Sequence, residues 1–151
     1  MKKNITRGFT LIEVLLVIAI LAILAAVVII AINPAKQLGE ANNAQRRSDV
    51  RTILDAVQQY SLDNGGLYPD SIQSGGTCMS EGLDICQFEW PCDGINLDIL
   101  AENQVYLTGI PIDPSVTTDD ITGYKAVLTD DGRLSVCAPL MYGDEHIVVT
   151  Q

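Results

Sequence analysis

The chain is poor in the residues on which many enzymes and nucleic-acid-binding proteins depend. Its 151 residues include a single histidine, His146, and only nine lysines and arginines against nineteen aspartates and glutamates. A serine or cysteine nucleophile needs a neighbouring base, most often histidine, and phosphate binding needs clustered basic side chains. We therefore predict a protein that is not an enzyme and has no nucleic-acid partner, and we assign His146 a structural place in a terminal strand.

Local motifs for phosphate and metal chemistry are missing from the sequence as well. It contains no glycine-rich phosphate loop, no EF-hand pattern and no metalloprotease helix. The four cysteines include no close pair of the C-x₂-C kind that structural zinc sites usually use. The function must therefore be sought in what the chain has in excess.

What it has in excess is a long apolar segment near the N-terminus. Residues 14–32 are nineteen uninterrupted apolar residues, and they follow the segment Gly8-Phe9-Thr10-Leu11-Ile12-Glu13. A run of this length can span a bilayer as a helix. Glu13 is the unusual residue, because a carboxylate at the centre of a membrane costs roughly 2.5 kcal/mol or more and usually marks a function.

Residues 8–13 resemble the N-terminal signature of type IV prepilins and type II secretion pseudopilins. The resemblance implies that a membrane peptidase cuts after Gly8 and methylates the new N-terminal amine of Phe9. It also implies that Glu13 is needed for assembly and neutralises the N-terminal amine of a neighbouring subunit. Independently of the family, Glu13 would lie one helical turn from the new ammonium group, where the helix dipole also favours a negative side chain.

Two simpler interpretations of the segment remain open. A secretory signal peptide has an apolar region of about 7–15 residues followed by a small-residue cleavage site, and this run is longer and lacks such a site after Ile32. A plain signal anchor accounts equally well for the apolar run and its basic leader. It accounts neither for Gly8-Phe9 nor for the carboxylate of Glu13.

The charge distribution predicts the orientation of the chain in the membrane. Residues 1–8 carry Lys2, Lys3 and Arg7, whereas the rest of the chain is strongly acidic. Basic residues favour the cytoplasmic side, so the bulk of the chain is expected across the membrane. Removal of the leader would take the formal net charge from −10 to −13, a charge that favours solubility and mutual repulsion between copies.

An exported domain with four cysteines predicts two disulfides. The cysteines are Cys78, Cys86, Cys92 and Cys137, and a zinc site or free thiols are the alternatives. Of the three pairings that four cysteines allow, we expect Cys78–Cys86 as a local link. The second, Cys92–Cys137, would tie the central loop to the C-terminal strands.

The rest of the chain divides into four segments after the leader at 1–8. We predict a transmembrane and assembly helix at 9–33, an amphipathic helix at 34–63, a disulfide-clipped loop region at 64–104 and an antiparallel β-sheet region at 105–151. A break is expected at Asn33-Pro34, because proline disfavours helix at the residue before it. On the amphipathic helix the residues predicted to face the core are Leu38, Ala41, Ala44, Val50, Ile53, Leu54, Val57 and Tyr60.

Within the loop region, Phe88 and Trp90 are expected to anchor the loop to the core, and Ile95 to Glu102 to form a short helix or turn. Alternating residues predict strands at Val105–Leu107, Gly123–Thr129, Leu134–Ala138 and His146–Val149. Asp130-Asp131-Gly132 would supply the hairpin turn. The predicted fold is α+β: a long N-terminal helix, half transmembrane and half amphipathic, packed by a small antiparallel sheet, as the pilin resemblance implies.

Carboxylates in the C-terminal loops are weak candidates for calcium, which prefers several oxygen ligands from flexible loops. The candidates are Asp113, Asp119 and Asp120, and the segment Ile110–Pro114 resembles the stretch before the calcium-binding loop of major pseudopilins. Ser115-Val116 replaces the aromatic residue and glycine that usually follow there. The alternative is a solvated loop without a metal, and no other cofactor is expected.

The resulting hypothesis is a subunit of a type IV pilus-like filament that is cleaved by a prepilin peptidase. Its expected partners are further copies in a helical filament, the peptidase, the pilus or secretion machinery and the membrane. It would lie in the inner or cytoplasmic membrane as a single-pass prepilin and then in an extracellular filament on the cell surface. The alternatives are a type II secretion pseudopilin and, from a different class, a membrane-anchored binding domain that never polymerises.

Overall fold

The structure, a computed structural model, describes residues 8–87 and 92–151. The basic residues of the leader and the proposed anchors Phe88 and Trp90 lie outside these ranges. The chain forms two compact units, residues 1–38 and residues 39–151. The first contains the apolar helix and the start of the next one, and the second contains everything else.

The apolar helix, α1, spans Leu11–Ile32. It begins at Thr10, whose backbone is extended and whose side chain accepts a hydrogen bond from the amide of Glu13, as N-cap residues do. It ends at Asn33, which adopts a left-handed conformation with φ 42°. The predicted break at Asn33-Pro34 is confirmed.

The second helix, α2, spans Pro34–Asp63. Proline suits its first position, where its missing amide hydrogen is not needed, and the side chain of Asn33 accepts a hydrogen bond from the amide of Lys36 at 3.3 Å. The helix ends before Gly65 and Gly66, whose φ angles of 68° and 90° reverse the chain. Its bounds agree closely with the predicted amphipathic helix.

The C-terminal half of α2 packs on one face of a four-stranded antiparallel sheet. The strands are β1 (Leu83–Cys86), β2 (Ile121–Leu128), β3 (Leu134–Cys137) and β4 (Val148–Thr150), and they lie in the order in which they follow along the chain. The residues shared between helix and sheet are fully or almost fully buried: Val50, Ile53, Leu54, Val57, Tyr124, Ala126, Leu134 and Val136. The α+β, pilin-like fold class is confirmed.

The predicted strands around the hairpin are confirmed, with β2 and β3 joined through Gly132 at φ 74°. The strand predicted at Val105–Leu107 is wrong. The preceding residues Asn103 and Gln104 have φ angles of 53° and 56°, which turn the chain. The amides of Tyr106 and Leu107 then bond to the carbonyl of Leu100 rather than to a strand.

The loop region at 64–104 is more ordered than predicted. It contributes the edge strand β1, which pairs with β2 from Leu83 opposite Ala126 to Cys86 opposite Ile121. It also contains two single-turn helices, α3 (Cys78–Glu81) and α4 (Asp98–Ala101), and a 3₁₀ turn at Glu102–Gln104. The short helix expected between Ile95 and Glu102 is confirmed by α4.

The chain has two disulfides, but the expected pairing is wrong. Cys78 is bonded to Cys137 and Cys86 to Cys92. The reason is the position of α3, which packs on the outer face of the sheet, where Cys78, Val127 and Cys137 form a small buried cluster. Cys78 therefore reaches β3, while Cys86 and Cys92 close a loop of their own.

Candidate functional site

The predicted cleavage point lies in an open part of the chain. Gly8 and Phe9 are both exposed, and among the described residues no atom beyond the immediate chain neighbours lies within 4 Å of the position that a β-carbon on Gly8 would take. Phe9 is 81% exposed. A peptidase can therefore reach the peptide bond between Gly8 and Phe9 without displacing other described parts of the chain.

Glu13 closes a hydrogen-bonded ring around the start of α1. Its amide donates to the side-chain oxygen of Thr10 at 3.3 Å, and its carboxylate accepts from the amide of Thr10, also at 3.3 Å. The hydroxyl of Thr10 donates to the same carboxylate at 3.2 Å. This reciprocal arrangement is a capping box, and it satisfies two amides that a helix N-terminus leaves free. The bonds of Glu13 to Thr10 were not predicted, although the T-x-x-E spacing of residues 10–13 is the sequence pattern of a capping box.

The remaining surface of α1 is apolar on every side. None of its 22 residues is buried. A helix of this length measures about 33 Å at 1.5 Å per residue, which matches a hydrocarbon layer of about 30 Å. By length and composition α1 can cross a membrane. Such a surface is stable in lipid or against other apolar helices. The carboxylate of Glu13 lies in the first turn of the helix.

Polar residues on α2 form a buried hydrogen-bonded network that was not predicted from the sequence. Arg46 is 1% exposed and donates two hydrogen bonds to the carboxylate of Asp113, at 2.6 and 2.9 Å. Asn43 bonds to both the amide and the carbonyl of Tyr142. The first half of α2 therefore holds the loops around residues 113 and 142 through polar groups.

This network corrects the predicted buried face of α2. Leu38, Ala41 and Ala44 were expected to face the core, but all three are exposed. The apolar stripe through Val50 continues instead, at spacings of three and four residues, onto Arg46, Asn43 and Gly39. Gly39 is needed because the ring of Tyr142 lies where its β-carbon would be. The spacing of three and four residues indicates that these positions lie on the buried face of α2. An apolar pattern does not reveal them, because their side chains are not apolar.

Burial and hydrogen bonding change the ionisation of two members of the network. The hydrogen bond to Asp113 raises the pKa of Arg46 above its ordinary value, against the opposing effect of burial. Burial raises the pKa of Tyr124 well above its usual value, and the 2.7 Å hydrogen bond that its hydroxyl donates to Asp49 adds to this. Arg46 is therefore charged and Tyr124 neutral wherever the protein is folded near neutral pH.

The calcium candidates are not brought together by a common site. Asp113 is 1% exposed and binds Arg46, whereas Asp119 and Asp120 are exposed. Across residues 8–87 and 92–151, no three histidine, cysteine or acidic side chains are grouped so as to hold a metal. Calcium binding stays a prediction: a rise in melting temperature at millimolar calcium that Asp119→Ala abolishes would support it, and no rise would contradict it.

Comparisons with known proteins bear on the N-terminal segment. Residues 3–31 match the family model described as the prokaryotic N-terminal methylation motif. Neither the curated proteins nor the solved structures gave a match. The matched range contains Gly8, Phe9 and Glu13, the residues whose geometry is described above, and it covers almost all of α1. The chain therefore carries the signature of type IV pilins and pseudopilins on a pilin-like α+β fold.

Proposed function

We propose that the chain is a structural subunit of a type IV pilus-like filament. A prepilin peptidase cuts after Gly8 and methylates the amine of Phe9, and an assembly machinery then polymerises the mature chain through α1. The observation that supports this best is α1 itself, a membrane-length helix with no buried residue and a carboxylate in its first turn.

The charge on Glu13 supplies a driving force for assembly in this proposal. A carboxylate held among apolar surfaces is costly unless a cation lies close to it. In the uncleaved chain it bonds to Thr10, which supplies hydrogen bonds but no positive charge. Cleavage creates an ammonium group on Phe9, and pairing Glu13 with the ammonium group of a neighbouring copy removes one unpaired charge with each added subunit.

A type II secretion pseudopilin is the alternative within the same group. The motif and the helix suit both kinds of subunit equally. The segment Ile110–Pro114 resembles the stretch before the calcium-binding loop of major pseudopilins, but its Asp113 is paired with Arg46. This carboxylate is therefore unavailable as a free ligand. The alternative from a different class is a membrane-anchored domain that is never cleaved and never polymerises.

The test is expression of the whole chain with a prepilin peptidase and a filament assembly system. We expect mass spectrometry to find a mature N-terminus at Phe9 carrying one methyl group, and electron microscopy to find filaments that contain the chain. Gly8→Val serves as the uncleaved control, since it places a bulky side chain at the cut. A chain that stays uncleaved in the wild-type form contradicts the proposal and favours the anchored domain.

The location of the filaments separates the two remaining candidates. Filaments sheared from the cell surface, with this chain as their subunit, support a pilus. Loss of the export of other proteins on deletion of the gene, without surface filaments, supports a pseudopilin. A chain that is cleaved but never enters a filament contradicts both.

A further inference from the structure

One exposed face of α2 carries two of the few arginines of an acidic protein. A shallow cleft of about 420 Å³ lies along it, lined by Ala44, Arg47, Ser48, Arg51, Thr52 and Asp55, and we call these six residues the α2 arginine face. All six are exposed. Arg47 and Arg51 are one helical turn apart, so their side chains are neighbours and repel one another.

Arg51 differs from the other basic side chains that the structure describes. Those of Arg46, Arg47, Lys125 and Arg133 each pair with a carboxylate of the same chain, namely Asp113, Glu145, Asp84 and Asp131, and Lys36 also has an interaction partner. Within residues 8–87 and 92–151, Arg51 has no hydrogen-bond or ion-pair partner for its side chain. The pair of Arg47 with Glu145 is exposed on both sides, and exposed pairs contribute little to stability.

The acidic character of the chain suggests what meets this face. Copies with a formal net charge near −13 after cleavage repel one another, so close packing needs contacts between opposite charges. Asp119 and Asp120 are adjacent and exposed. In the described part of the chain neither carboxylate has a hydrogen-bond or ion-pair partner, whereas Asp131 and Glu145 are already paired.

We propose that the α2 arginine face receives the Asp119–Asp120 segment of a second copy of this chain. Arg51 binds the incoming carboxylates and Arg47 reinforces the positive potential. The small side chains of Ala44 and Ser48 allow the backbone of the second copy to come close. The proposal rests on the proposed filament function and adds to it a contact between the outer domains, separate from the pairing at Glu13.

The test compares filament yields of charge-reversal variants of the full chain in the assembly system described above. Arg51→Glu is expected to reduce sheared filament protein about three- to tenfold, because it replaces an attraction by a repulsion of similar size. Arg133→Glu is the matched control, since it makes the same change of charge at another exposed arginine, in the hairpin turn. Combining Arg51→Glu with Asp119→Arg exchanges one charge on each side of the contact, while Arg47 still faces the carboxylate of Asp120, and we expect this double variant to recover most of the yield.

Each outcome decides the matter. Equal losses for Arg51→Glu and Arg133→Glu would point to net charge alone, and an unchanged yield for Arg51→Glu would show that the face is not a contact; either overturns the proposal. Failure of the double variant to recover, while the cleaved subunit keeps its wild-type melting temperature, overturns the choice of Asp119–Asp120. In all three cases wild-type filaments remain, so the proposed function stands. Cleaved wild-type chain without filaments overturns the function and this contact with it.

Discussion

Arg46 and Asp113 form a bidentate ion pair between α2 and a loop that lies 67 residues further along the chain. Their side chains are 2% and 0% exposed. The pair is completed by Asn43, which accepts from Arg46 at 2.9 Å, and by the amide of Ser115, which donates to Asp113 at 2.7 Å. Because both charged side chains are withdrawn from water, their contact fixes where the loop sits on the helix.

Removing one charge of the pair should destabilise the protein strongly. Asp113→Asn leaves the guanidinium of Arg46 buried without a counter-ion, and breaking a buried pair from one side typically costs about 3–5 kcal/mol. We expect a loss of this size in the free energy of unfolding, measured by urea denaturation of the full chain in detergent. Arg47→Met, which removes an exposed pair with Glu145, is the control and should cost less than about 1 kcal/mol.

A double variant separates the ion pair from the rest of the contact. Arg46→Met combined with Asp113→Asn removes both charges, while the asparagine oxygen can still accept from the amide of Ser115. We expect the double variant to be more stable than Asp113→Asn alone. Additive losses would show that the two charges do not act as a pair.

The fold could be predicted wherever local signals are strong. The proline that begins α2 and the glycine of the β2–β3 hairpin each act on their immediate neighbours. The strand β1 could not be predicted in this way, because it has only four residues. It is stabilised by pairing with β2, which is distant in sequence. The polar stretch of α2 was misread for a similar reason, since Arg46 is buried only because a distant carboxylate meets it.

The disulfides should differ in how much they stabilise the protein. Cys78–Cys137 closes a loop with a sequence separation of 59 residues and Cys86–Cys92 one of 6. In the chain-entropy model these loops are worth about 4 and about 2 kcal/mol. We therefore expect the double serine variant at 78 and 137 to lose more stability in urea than the one at 86 and 92. The reverse order would show that native packing, rather than loop length, sets the effect.

The cysteine pairing depends on tertiary structure that the sequence does not reveal. Four cysteines allow three pairings, and their spacing alone does not decide between them. The observed pairing depends on the position of α3, which lies on the outer face of the sheet beside Cys137. No local sequence pattern predicts that position. Peptide mapping under non-reducing conditions should recover the linked peptides that contain Cys78 and Cys137.

Tyr124 should make the protein sensitive to alkaline pH. Its pKa is raised in the folded state by burial and by the bond to Asp49, so the unfolded chain loses this proton first as the pH rises. The stabilisation is therefore fully present below about pH 10, the unperturbed tyrosine value, and is lost progressively above it. The slope contributed by one proton is at most about 1.4 kcal/mol per pH unit.

Tyr124→Phe tests this assignment. The variant should be less stable at pH 8, because the carboxylate of Asp49 loses a hydrogen bond, but its stability should fall less steeply between pH 10 and 11. Absorbance at alkaline pH should likewise show a tyrosine that ionises only on unfolding, and this tyrosine should be missing from the variant. Parallel stability curves for the two proteins would contradict the raised pKa.

Glu13→Gln separates the two roles that the structure and the function give to this residue. Glutamine at this position can complete the capping box with Thr10 as glutamate does, but it carries no charge. If the charge drives assembly, the variant should insert into the membrane and be cleaved after Gly8, yet give as little filament as Glu13→Ala. The helix-capping role alone predicts instead that glutamine assembles normally and only alanine fails. Counting sheared filaments for the three proteins, with cleavage checked by mass spectrometry, decides between them, because cleavage and capping are intact in the glutamine variant and only the pairing charge is gone.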